Sequence, residues 1–457
     1  MEKELEVEAT TEPEKHPKKV AKLDGDDALL LWLKGKDVWN KWMEQNPKAE
    51  VSFEGVKFNY AWLKNQLVDQ EHIKSQLEEL DSKKRVKFLG YVFGGKTSFK
   101  GAEFSYVAVF DHAEFRAEVN FSHSKFHKYA RMSYVNFEKD AFFRYVEFRN
   151  KSFFEGAKFK GNALFQHTCF DWHSSFRKAK FLEQAYFSMS EFKSGAEFSF
   201  TTFKNGSFFS TFIAKGIMGF ENVCFESVFR FEPRDIGSFV FPNFQGAIFE
   251  KQFSISGNYN CIPDFRQTKT NHHVDLSKLN VHLRRSITEY GALREKAVDS
   301  DDAERLCRLK EIAESNKNHK RALAFHADEQ RASRWGALNP WQSMLDMLYS
   351  ATSNYGQSIA RPVFYLALSI IMFATYSLKQ PENIHKEEGQ FKTAITVSIA
   401  TVTPFISISK TEREAGLAKL YGDSPPEDYG LYSYAHAGIS FVFIFLIGLG
   451  LRNRFRV

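Results

Sequence analysis

The stretch HTCFDWH gathers His167, Cys169, Asp171 and His173 within seven residues. A thiolate beside an imidazole is a nucleophile, and all three residue types bind metals. His319 and His326 stand seven apart on one helical face, and His272 adjoins His273. Neither spacing is HExxH, and no cysteine pair completes a zinc set. No phosphate loop, GxSxG element or dinucleotide fingerprint occurs. The expectation is therefore a chain that is not an enzyme, with no catalytic residue, cofactor or metal. Four cysteines in 457 residues are no disulfide framework, which points to a reducing compartment. The N-terminus is charged and lacks an apolar core, so it is not a signal peptide.

What positions HTCFDWH is a repeat. The chain holds 48 Phe. One register of period 11 runs Phe93, Phe104, Phe115, Phe126, Phe137, Phe148, Phe159, Phe170, Phe181, Phe192 and Phe203. A second runs from Phe88 to Phe231 with Met132 as its one substitute. A small or β-branched residue, such as Ala102, Val146 or Ala179, precedes most of these by two. Each unit is thus small-x-Phe-x-x, sometimes with one residue added. It makes a short extended piece and a tight turn, with Phe inward and Lys, Glu or Arg outward. No unit can bury its Phe alone, so coils must stack. Cys169 and Asp171 flank Phe170 and should point outward. Cys169 and Cys224 lie 55 residues apart, on opposite faces, so no disulfide is expected between them.

These residues resemble the pentapeptide-repeat family in its Phe-centred form. The resemblance implies a mainly β fold, a right-handed quadrilateral β-helix in which two such period-11 units make one coil. Residues 88–253 would then give about seven coils. An earlier partial coil, VSFEGVKFNYAWL, precedes an inserted helix. Before it, Trp39 and Trp42 share a helical face, and Pro47 ends that helix, which should cap the exposed coil edge. The stretch is similar to the WN-x-W…NP lead-in of many such proteins.

Some family members mimic DNA with strongly negative faces. Here residues 88–256 hold 21 Lys plus Arg against 17 Asp plus Glu, a net of +4. A positive rod imitates DNA poorly. The whole chain carries only +6, not gathered into one stripe, so no nucleic acid partner is expected.

The C-terminal third changes character. DDAERLCRLKEIAESNKNHKRALAFHADEQRASRW reads as one long helix, and Trp341, Leu345, Leu348 and Tyr349 suit an interfacial one. Residues 362–378 and 432–451 are uncharged and long enough to span a bilayer. Arg361 precedes the first, and Arg452, Arg454 and Arg456 follow the second. The intervening 380–430 has five Lys/Arg and eight Asp/Glu. The positive-inside rule then puts both termini and the β-helix in the cytoplasm. Between the spans lies TAITVSIATVTPFISIS, residues 393–409, with seven Ser or Thr. It is either a re-entrant segment lining a wet cavity or an amphipathic piece on the outer leaflet. Thr396, Ser398, Thr401, Thr403 and Pro404 are its candidate pore-lining residues. No TVGYG filter occurs, so potassium selectivity does not follow. SNYGQSIARP, SIATVTPF and GLGLRNRFRV resemble the C-terminal module of membrane-bound bacterial pentapeptide-repeat proteins, which implies the bacterial inner membrane.

The expected domains are a disordered charged tail (1–25), a capping helix (26–47), and a partial coil with an inserted helix (48–87). The β-helix (88–256), a helical linker (257–335) and an interfacial helix (336–361) follow. Then come transmembrane helix 1 (362–378), an extracytoplasmic segment (379–431), transmembrane helix 2 (432–451) and a basic cytoplasmic tail (452–457). Two functions fit. One is an oligomeric, channel-like membrane protein whose rod assembles or gates a two-span pore. The other is a membrane-tethered scaffold that holds a cytoplasmic protein on the rod's faces. The expected partners are the lipid bilayer, further copies of the chain and that protein.

Overall fold

The computed structural model describes residues 21–67, 73–237, 241–288, 291–380, 389–403, 406–422 and 424–455. The chain divides into two compact units, Met1–His282 and Leu283–Val457.

The first unit is a parallel β-solenoid of about nine turns, one face of which stacks nine strands. A representative turn contains four two-residue strands: Ala141–Phe142, Glu147–Phe148, Ser152–Phe153 and Lys158–Phe159. The next turn begins at Ala163–Leu164, which pairs in parallel with Ala141–Phe142 of the turn before. Backbone hydrogen bonds run between turns, as from Phe154 N to Ser175 O at 2.7 Å. The two period-11 registers thus resolve into four columns, each with twice that period. Phe154 stacks on Phe176 at 4.8 Å and 2°, and meets Phe165 of the adjacent column edge-on at 5.5 Å and 89°. Both arrangements suit the ring quadrupole. Met132 fills its place in the column with no exposure. Corners demand left-handed backbone: His112, Tyr134, Lys178 and Phe200 stand at equivalent corners of different turns, with φ between 56° and 60°. Gly156 takes one such position, where a Cβ would stand 2.6 Å from the Tyr134 ring.

The ladder does not stop at residue 256. Ile248–Phe249 pairs with Lys269–Thr270, and Gly257–Tyr259 with Leu279–Val281. Inward positions there are Tyr259, Ile262, Val274 and Leu279, all buried. Burial outlasts the Phe pattern, which is why about nine turns replace the expected seven.

The expected single capping helix is two, α1 (Gly25–Leu33) and α2 (Lys36–Gln45), broken at Gly35 with φ 90°. The insertion likewise holds α3 (Tyr60–Gln66) and α4 (Lys74–Lys83).

The second unit begins with an antiparallel hairpin, Arg285–Thr288 with Gly291–Ala297. The stretch 257–335 is therefore helical only from Asp302. The expected long helix breaks at Lys317, φ 58°, into α5 (Asp302–Ser315) and α6 (His319–Ser333). They pack through Leu306, Leu309, Ile312, Ala313, Ala322 and Phe325. Then come α7 (Pro340–Ser353), α8 (Ala360–Lys379), α9 (Gln390–Val402), α10 (Ser407–Tyr421) and α11 (Tyr429–Phe455). Helices α8 and α11 are long and apolar enough to cross a membrane, and only 22% of each apolar window is buried. The core helix of a soluble protein would be mostly buried. On α7, Trp341, Met344, Leu345 and Leu348 are exposed.

Candidate functional site

The first set of chemically competent residues does not assemble a reactive centre. Cys169 donates to Asp171 at 3.3 Å, and burial, reinforced by that carboxylate, pushes its thiol up to about 12. Asp171 is itself paired with Lys193 at 2.8 Å, and His173 lies 4.0 Å from Glu197. Among the described residues no group of three His, Cys, Asp or Glu could hold a metal ion. Cys169 and Cys224 are free and lie in different sheets.

The cap is built from Trp32 and Trp39, seven apart. Trp39 is fully buried, donates to Val92 O at 2.8 Å and meets Phe93 at 5.3 Å. Trp32 donates to Lys87 O at 2.9 Å and stacks on Phe88. Asn40 bridges Gly90 O and Val92 N. Trp42, the other expected cap residue, is only half-buried. In WN-x-W the working pair is therefore Trp39 and Asn40. The ten Phe from Phe104 to Phe203 that were assigned to the core are all buried.

The second unit offers the stronger site. Helices α8 and α11 run antiparallel. Gly450 sits on Ile359, Tyr365 stacks on Phe443 at 5.8 Å, and Tyr376 meets Tyr432. Arg361, Arg452 and Arg454 consequently share one end, where Asn453 donates to Gly356 O at 3.0 Å. Arg456 lies outside the described residues. At this end Arg334 pairs with Asp346 at 2.5 Å, and Tyr355 donates to the same carboxylate at 2.8 Å. Burial and Asp346 push the Tyr355 phenol up to about 12, so it remains a donor.

Midway along α8, His436 of α11 joins three helices. Its Nδ1 lies 2.9 Å from Ser369 Oγ of α8, and its Nε2 lies 3.0 Å from Ser398 Oγ of α9. Ser398 spends its single proton on Ile370 O at 3.0 Å, so it accepts from Nε2–H. Nδ1 then accepts from Ser369. The ring also stacks on Phe373 at 4.5 Å and 9°. In a helix that crosses a membrane, an ionisable side chain marks a functional centre by default. Sequence reasoning missed it, because a lone His in an apolar run has no period to reveal it.

Three of the five expected pore-lining residues bond to their own helix. Thr396, Thr401 and Thr403 each donate to the carbonyl four residues back, at 2.8–3.0 Å. Ser398 and Thr401 are buried, and Pro404 lies outside the described residues. Segment 393–409 is mostly α9, which packs between α8 and α10.

The comparisons agree with the first unit. A family profile described as pentapeptide repeats (9 copies) matches residues 88–136. The chain thus carries pentapeptide repeats, followed by a C-terminal region with two candidate membrane helices. No curated protein matches it, and no solved structure does.

Proposed function

We propose that this membrane-tethered repeat protein is an oligomeric, channel-like protein whose solenoid assembles or gates a pore module made of α8–α11. The observation that carries the reading is the α9–α10 hairpin. Helix α9 starts beside the non-basic end of α8, reaches Ile370 at its middle, and α10 returns to Ser377, whose carbonyl accepts from Tyr421 at 2.6 Å. Such a hairpin enters a bilayer without crossing it, and backbone can be interrupted at that depth only against protein or water. Two spans and one hairpin cannot enclose an ion path, so the path would form between copies. The clustering of Arg361, Arg452 and Arg454 at one end supports a cytoplasmic solenoid by the positive-inside rule.

A second reading, a tethered scaffold without a pore, is favoured by exposed Tyr134, Trp172, Met189 and Phe200 on the solenoid. The full-length protein in planar bilayers separates the two. Discrete conductance steps are expected of the channel, and a silent membrane across the accessible voltages contradicts it.

A further inference from the structure

The hairpin carries charge where lipid would forbid it. Helix α8 has 20 residues. At 1.5 Å per residue it is about 30 Å long, the thickness of the hydrocarbon core, so none of it can be spared for solvent. Depth along α8 can therefore be assigned to its neighbours. Leu420 and Tyr421 lie with Ser377 near the non-basic end. Gly416 packs against Val397, one position from Ser398 at the Ile370 level, and an added Cβ there would stand 2.3 Å from that side chain. Lys410 lies six residues before Gly416, about 9 Å deeper.

Lys410, Glu412, Arg413 and Glu414 thus sit at the depth of the apolar half of α8. All four are exposed, and among the described residues no ion pair engages them. The buried residues of α10 are Ser409, Gly416, Leu420 and Tyr421, and helical geometry turns Thr411 and Ala415 away from the side that Ser409, Gly416 and Leu420 share. At the same depth α8 exposes Phe364, Leu368 and Met372. Each charge facing lipid would be costly to insert. One side of the module therefore suits lipid and the other does not.

We propose that copies of this chain assemble with the exposed, charged stretch Lys410–Ala415 of α10 turned inward, lining a shared water-filled path. The inference rests on the channel-like reading and specifies which residues meet the water. They are the charges of α10, not the hydroxyls of 396–403, whose protons are held by helix carbonyls. The mixed signs, Lys410 and Arg413 against Glu412 and Glu414, suit apposition of like helices from neighbouring copies.

The test is collisional accessibility of nitroxides on the full chain in nanodiscs, with Cys169, Cys224, Cys261 and Cys307 replaced by Ser. Labels go on Thr411→Cys and Ala415→Cys, and on Leu368→Cys and Met372→Cys. The first pair should collide severalfold more with a water-soluble nickel chelate, and the second pair with oxygen. If positions 411 and 415 track oxygen, the inward face is wrong while the channel-like reading can stand. If all four positions see nickel, the module is not in the bilayer and that reading fails too. A monomer in the same nanodiscs overturns the shared path whatever the labels show. Should the Cys-free chain fail to assemble, hydroxyl-radical footprinting of the native chain reads the same contrast. Residues 410–415 should be labelled and Met372 protected, and the reverse overturns the proposal.

Discussion

Phenylalanine behaves oppositely in the columns of the solenoid and on the outer sides of α8 and α11. In the solenoid Phe143, Phe154 and Phe165 have no exposed surface. In the helical unit Phe364, Phe441 and Phe445 are 63–66% exposed, while the buried positions of α11 include Ser433, His436 and Ser440. The solenoid is sorted by water, which drives apolar rings inward. Helices α8 and α11 show the opposite sorting, with apolar rings outward and small and polar residues inward, the pattern of helices joined in lipid. The first unit gains its order from repetition, and the second from single hydrogen bonds that cannot be moved.

The largest expected effect contrasts the two kinds of Phe. Phe165→Ala removes a ring stacked on Phe143 and Phe187 and edged by Phe154 and Phe176. It should destabilise the surrounding turns by about 3–5 kcal/mol, read as faster hydrogen exchange across residues 141–187. Phe441→Ala should stay within about 0.5 kcal/mol in lipid. Equal losses at both sites would erase the contrast.

Ser398→Ala comes next. It deprives Ile370 O and His436 Nε2 of their shared partner, at about 1 kcal/mol for an interhelical bond in a membrane. Exchange should quicken in α9 with the solenoid unchanged. An unaltered α9 would show that the polar triad does not hold the hairpin.

The smallest effect lies outside the spans. Burial would lift the Glu329 carboxyl, but hydrogen bonds from His326 and Lys310 bring it down to about 2. A carboxyl lowered by folding stabilises the folded form above its ordinary value of 4.5, and that gain fades as pH falls towards 2. The α5–α6 pair should therefore lose stability over that acid range, and Glu329→Gln should flatten the profile. An unchanged profile would place the acid sensitivity elsewhere.

How much of this was legible follows from the same contrast. A column of rings at one fixed interval writes its period into the chain, so the solenoid could be read before any coordinate. Its last turns faded because Tyr259, Ile262, Val274 and Leu279 keep the burial and drop the Phe. The two candidate membrane helices were legible from apolar length. The hairpin was not, because the bonds that fix it, Ser398 to His436 and Tyr421 to Ser377, join residues 38 and 44 apart with no repetition. The Ser/Thr-rich composition of 393–409 drew attention to the segment that holds α9 and the start of α10. Thr396, Thr401 and Thr403 bond backwards along α9 while Ser398 reaches α8 and α11, a division that composition does not show.

The central claim is that this unit is completed by copies of itself. The most direct measurement is the mass of the purified full-length protein in nanodiscs. A discrete tetramer or larger ring is expected, with the α10 faces turned towards a common axis. A monomer at every protein-to-lipid ratio would contradict the account and leave a solenoid tethered by two helices.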